Sequence, residues 1–183
     1  SLEETLKEVL RKSEENAERL KRELEKVLRK LEEDLRRLDE RLDEVLKRSR
    51  DEARKLREAD VPKDDVDRVV EESERSIREL KKEIKKVEDD LRKLATDLER
   101  RLEEVKERSR ELVDRLRKKA KDIDREVIKR VIEDLDRLND ELNKEVEEVI
   151  RRLEDIVREL EKKIREVIKR NKELVDRLEE KVR

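Results

Sequence analysis

The 183 residues use only twelve amino-acid types, lacking glycine, histidine, cysteine, methionine, glutamine and every aromatic residue, and 61% of them are charged. Without histidine or cysteine the chain has no side chain that ordinarily titrates near neutrality and no thiol nucleophile. Its 55 bases and 57 acids are interspersed and leave a net charge of −2, which excludes both a basic stripe for phosphates and the like-charge blocks of a disordered tail.

The first element runs from residue 2 to about 58. Leu2, Leu20, Leu38 and Leu56 form one apolar column spaced by eighteen, and Leu6-Leu24-Leu42, Val9-Val27-Val45 and Leu10-Leu28-Leu46 form three more. Apolar residues recur at steps of three and four and never alternate as a half-buried strand requires, so the pattern predicts α-helix. Eighteen residues in five turns match the 3.6 residues per turn of an unstrained helix, so the apolar stripe stays on one side without supercoiling.

The only proline, in Ala59-Asp60-Val61-Pro62, ends this helix and starts the next, because proline suits a first turn and disrupts an interior. The second helix is predicted over about 62–119. The following break carries neither glycine nor proline, and phase reveals it. Carried forward in steps of eighteen, four of the second segment's six columns land on Glu141, Glu145, Glu148 and Arg152. Reflection about residue 122 sends all six onto core positions instead, for example Leu91 onto Leu153, Leu94 onto Ile150 and Leu98 onto Val146. Reflection about residue 61 likewise pairs Leu31 with Leu91. The third helix is therefore predicted over about 123–182, with Asp122 as its N-cap.

Three matched lengths that fold back twice predict an all-α, up-down-up antiparallel three-helix bundle, coiled-coil-like with nearly straight helices about 85 Å long at 1.5 Å per residue. The whole chain, 1–183, reads as a single elongated bundle. A one-third apolar stripe on each helix is enough to line such a core, which makes a monomer the default. Val70, Leu138, Ile156 and Leu174 are extra apolar residues; by reflection the last three face Lys106, Glu88 and Val70 and widen the third helix's stripe. On the outer faces Glu3-Lys7, Glu8-Lys12, Glu32-Arg36 and Glu33-Arg37 are four apart and predict ion pairs worth a few tenths of a kcal/mol each.

The columns Val9-Val27-Val45 and Val131-Val149-Val167, the matched lengths and the reduced alphabet resemble parametrically designed, untwisted antiparallel three-helix bundles with an eighteen-residue core repeat. The resemblance covers the whole chain. At average usage a chain of this length would hold roughly 13 glycines, and filling helices with strong formers while excluding glycine is a design rule. The resemblance implies a highly stable scaffold of artificial origin, without catalysis, cofactor or ligand. It also implies recombinant, cytoplasmic, soluble expression with no natural location.

The core is not wholly apolar. Reflection places Asn171 opposite Ser73 and Ser73 opposite Ser49, with Ser76 one turn away. On the other side of the centre Ser13 and Ser109 share a layer with Leu135, and Asn139 lies one turn on, opposite Val105 and Ala17. A buried amide without partners costs about 1–3 kcal/mol, so these residues predict two hydrogen-bonded layers, and a slipped or rotated register would strand them against leucine. Asn16, Asn143 and Thr96 lie in columns that are charged elsewhere and are expected to meet water.

Other functions have little support in the sequence. Serines without a base are inert, and the Asp64-Asp65 and Asp89-Asp90 pairs lie on charged faces, so no enzyme is expected. No core column carries the inward Glu and Glu-x-x-His of a metal-binding bundle. The longest apolar run is two residues, so no membrane span is expected, and there is no aromatic platform for nucleic acid. Two readings remain: a scaffold whose Ser and Asn layers set register, with no partner, or a subunit of a designed helical oligomer or switchable cage that binds a partner helix or self-associates.

Overall fold

The computed structural model describes residues 1–119 and 124–182. The protein is an all-α, up-down-up antiparallel three-helix bundle of α1 (Leu2–Glu58), α2 (Lys63–Lys118) and α3 (Arg125–Glu180). The helices are 57, 56 and 56 residues long, and no strand occurs among the described residues.

Each helix end has a local cause. Ser1 caps α1: its Oγ accepts from the Glu4 amide at 3.4 Å, and its amino group forms an ion pair with the Glu4 carboxylate at 3.6 Å. After Glu58 the chain leaves the helix through Asp60 in the left-handed region at φ 60°, a conformation that Asp tolerates better than most residues. Val61 then turns inward and is buried. The carbonyl of Pro62 accepts the first α2 bonds, from Asp65 at 3.1 Å and Val66 at 3.3 Å. Proline thus stands just outside the first helical residue, where its missing N–H costs nothing. The expected cap Asp122 lies outside the described residues. The first described α3 bonds run to the carbonyl of Asp124, from Val127 at 3.1 Å and Ile128 at 3.4 Å.

The chain divides into two compact units, one of Ser1–Arg29 with Leu91–Leu153 and the other of Lys30–Asp90 with Glu154–Arg183. Each draws one stretch from every helix. In the first, Leu6, Val113, Leu116 and Leu135 form a buried cluster against which Leu2, Val9, Leu10, Leu112 and Val131 pack. In the second, Ala53, Leu56, Val61, Val66 and Leu178 are buried together, with Val69 and Val70 packed on them. Full burial of one leucine or valine stabilises the fold by about 1.5–3 kcal/mol, so these clusters hold the helices together more strongly than the surface charges do.

The ion pairs correct two of the expected ones. Glu3 reaches Arg117 on α2 at 3.0 Å instead of Lys7, and Glu8 pairs with Arg11 at i+3 instead of Lys12. Guanidinium length and fork geometry explain both choices, because arginine spans a neighbouring helix or engages both carboxylate oxygens where lysine offers a point charge. Glu33 does pair with Arg37, at 3.5 Å.

Inter-helix pairs add to the outer seams. In the first unit Arg110 meets Glu14 at 2.8 Å, Lys106 meets Glu18 at 3.0 Å and Arg101 meets Glu145 at 3.3 Å. In the second, Arg57 meets Asp67 at 2.6 Å, Lys163 meets Glu83 at 3.1 Å and Lys81 sits between Asp39 and Asp43. Each of these pairs has one partner on α2, the helix antiparallel to both others. Most are exposed and screened, so they contribute little individually to stability.

Candidate functional site: buried serine and asparagine clusters

Polar side chains inside the helical core are the chain's chemically distinctive feature. Ser13, Ser49, Ser73, Ser109 and Asn171 are buried. A hydroxyl or amide removed from water without a partner is costly, which makes its hydrogen bonds decisive.

In the second unit one residue from each helix meets. Ser73 Oγ on α2 donates to Asn171 Oδ1 on α3, and Asn171 Nδ2 donates to Ser49 Oγ on α1 at 2.6 Å. The Ser73 hydroxyl proton and one of the two Asn171 amide protons make these bonds, so the amide serves as both acceptor and donor with its two ends on different helices. Ser and Asn suit the place because the two small hydroxyls leave room for the amide between them. Ser76 stands nearly one turn along α2, half-buried, and no side-chain hydrogen bond joins it to the other three. A step of three residues moves it about 4.5 Å along the axis, too far for its short side chain to reach Asn171 directly.

The first unit is built differently. Ser13 Oγ lies 3.0 Å from Ser109 Oγ and 3.3 Å from Asn139 Oδ1, and Ser109 Oγ donates to the Val105 carbonyl at 2.8 Å. Ser13 has one hydroxyl proton and cannot fully serve two acceptors. The contacts close as a relay when the Asn139 amide nitrogen faces Ser13: Asn139 donates to Ser13, Ser13 to Ser109, and Ser109 to Val105. Asn139 is half-buried, while Leu135 is fully buried. The relay thus ends on backbone on α2 and at a half-exposed amide on α3, whereas the Asn171 cluster has a buried amide between two hydroxyls.

Three further polar residues divide. Thr96 is exposed, as its charged column suggests, but Asn16 and Asn143 are half-buried. Asn16 Oδ1 accepts from Arg19 at 2.9 Å, while Asn16 Nδ2 and Asn143 Oδ1 are shielded and have no hydrogen-bond partner among the described residues. Column position alone missed this because the stripe's edge is covered partly by long neighbouring side chains. The Lys106 side chain, only 17% exposed beside Glu18, lies along the surface in this way.

Charge tuning is confined to surface pairs. Glu18 is held below the usual carboxylate range, chiefly by its hydrogen bond from Lys106, and Glu8 likewise by Arg11. The Lys81 ammonium is pushed up by its hydrogen bond to Asp43, with Asp39 adding to the effect. Glu14 raises Arg110 in the same way. These shifts favour the charged forms and reinforce ion pairs; a general base poised near neutrality would need the opposite kind of environment.

Beside the Asn171 cluster lies an open cleft of about 400 Å³ between α1 and α3, with Val45, Ile168 and Val175 on its walls and Ser49 and Asn171 lining it. A smaller cavity of about 70 Å³ lies on the α2 side of Asn171, lined by Ser73, Ser76, Ile77 and Leu174 among others. Among the described residues no helix is long and apolar enough to cross a membrane, and no group of His, Cys, Asp or Glu could hold a metal ion. No known protein family, curated protein or solved structure matches the chain.

Proposed function

We propose that the protein is a de novo designed structural scaffold with no natural biochemical activity, whose Ser and Asn clusters specify how three otherwise repetitive helices align. The observation that carries this reading is Asn171, which bonds to α1 and α2 at once through Ser49 and Ser73. The apolar columns repeat, so they distinguish poorly between alignments. An eleven-residue slip of α3 carries Leu135, Leu142 and Leu153 onto the places of Val146, Leu153 and Ile164, all buried apolar positions. The same slip puts Leu160 at the place of Asn171. Both hydroxyls would then face leucine, at roughly 1–3 kcal/mol for each unsatisfied group. Buried polar groups used in this way favour one arrangement over its competitors, even where they add nothing to total stability.

Design also accounts for the reduced alphabet and the eighteen-residue columns, since a repeating unit with no glycine maximises helix propensity throughout. A chain made for this purpose is a monomer and needs no partner, cofactor or substrate. Light scattering over a wide concentration range tests that claim. A constant mass near 22.4 kDa supports the scaffold, and a mass that rises with concentration overturns it.

One observation favours a second reading, a subunit of a designed oligomer or cage. Leu138, Ile156 and Leu174 on α3 are half-buried, so this helix presents a broader apolar stripe than a three-helix core uses fully. A partner helix seated along Leu138, Ile156 and Leu174 would cover more of it. In that case the scattering mass rises and the Leu138, Ile156 and Leu174 methyl resonances shift together on dilution.

A further inference from the structure

We propose that the cavity on the α2 side of Asn171 is a hydration site for one or two water molecules that join Ser76 to the Asn171 cluster. The inference does not depend on whether the chain was designed. The cavity's volume of about 70 Å³ is ample to hold a water molecule.

Its polar lining supplies the two to four partners that an internal water needs. An asparagine amide has two acceptor lone pairs and two donor hydrogens. Asn171 uses one acceptor on Ser73 and one donor on Ser49. One lone pair and one N–H therefore remain on a side chain that is only 8% exposed. Ser76 brings a hydroxyl to the same cavity, half-buried and joined to none of the three. Its distance of nearly one helical turn from Ser73 is unsuited to direct contact and well suited to a single bridging oxygen.

Glu72 and Arg170, paired at 3.2 Å, also line the cavity. Their ion pair spans α2 and α3 at the exposed rim of the site. Ile77, Val167 and Leu174 supply apolar parts of its lining. The site thus offers a water several polar partners, in contrast to wholly apolar cavities, which stay dry.

A crystal structure of the full chain at atomic resolution and water-oxygen magnetic relaxation dispersion in solution test the proposal together. The expected result is an ordered water within hydrogen-bond distance of both Ser76 Oγ and the Asn171 amide. The dispersion should also show at least one long-lived water that Ser76→Val removes. Ser76→Ala serves as the milder variant, keeping the Ser49–Asn171–Ser73 bonds while weakening the water's hold. A dry cavity with the Ser76 hydroxyl turned onto its own helix backbone overturns the proposal. So does a water bound to Ser76 that never contacts Asn171, or a dispersion unchanged by Ser76→Val.

Discussion

The Asn171 amide nitrogen donates to Ser49 Oγ at 2.6 Å across 122 residues of sequence. Ser73 completes the cluster from the other side. Replacing Asn171 alone by leucine is expected to destabilise the protein by about 1–3 kcal/mol, since it strands two hydroxyls and crowds a layer sized for serines. Replacing all three, as Asn171→Leu with Ser49→Ala and Ser73→Ala, should be neutral or stabilising, because no unsatisfied group remains. Urea denaturation of both variants checks the contrast. Equal effects would mean that the hydrogen bonds contribute nothing.

Apolar burial carries the bulk of the stability. Leu24 is 0% exposed, and Leu24→Ala should cost about 2–5 kcal/mol through lost transfer energy and the cavity left behind. Leu138, half-buried on the wider stripe of α3, should cost about 1 kcal/mol on the same change, since much of its surface already meets water. Thermal and urea unfolding of the two variants compare them directly. A Leu138→Ala cost equal to that of Leu24→Ala would place Leu138 inside an interface, as the oligomer reading requires.

The α1–α2 turn contains an evident site for improvement. Asp60 adopts φ 60°, which costs an L-residue about 1–2 kcal/mol, somewhat less for aspartate. Glycine removes that penalty but loses about 0.5–1 kcal/mol of backbone entropy on folding. Asp60→Gly should therefore stabilise by up to about 1 kcal/mol, while β-branched Asp60→Val should destabilise by more than about 1 kcal/mol. Urea midpoints of the two variants measure the difference.

Stability should be flat across the neutral range. The carboxyls of Glu18 and Glu8 are lowered on folding, so their contribution is complete above the ordinary carboxylate range and is lost as pH falls through their lowered values. The ammonium of Lys81 is raised, so its contribution is complete below the ordinary lysine value and is lost as pH rises through its folded value. No histidine or cysteine side chain titrates between. Urea midpoints measured from about pH 5.5 to about pH 9.5 should agree and fall only outside that window. A drop inside it would contradict the flat profile.

Much of this structure was legible in the sequence because it is periodic. The eighteen-residue columns fix which face of each helix is buried, and reflection about residues 61 and 122 brings Ser49, Ser73 and Asn171 together although no two are close in sequence. What periodicity could not supply is reach. Ser76 shares the right face but stands a step of three from Ser73, and Asn16 and Asn143 sit in charged columns yet are partly covered. Likewise Glu3 chooses Arg117 over Lys7 because a partner on another helix is invisible to a rule of spacing within one helix. The φ of Asp60 follows from the geometry of the turn, which no residue type in Ala-Asp-Val-Pro demands.

Helix α3 poses the sharpest question, since its broad stripe would let it rotate to bury Leu138, Ile156 and Leu174 more fully. On the proposed reading the polar clusters oppose that rotation. Pulsed electron–electron distance measurement between spin labels at Arg41→Cys on α1 and Lys162→Cys on α3, both exposed positions in a chain without native cysteine, reads it directly. The comparison variant adds Ser49→Ala, Ser73→Ala, Asn171→Leu, Ser13→Ala, Ser109→Ala and Asn139→Leu. One narrow distance distribution with the clusters intact, and a broadened or second distribution without them, is the predicted result. The same single narrow distribution in both proteins would contradict the claim that buried Ser and Asn set the alignment of the helices.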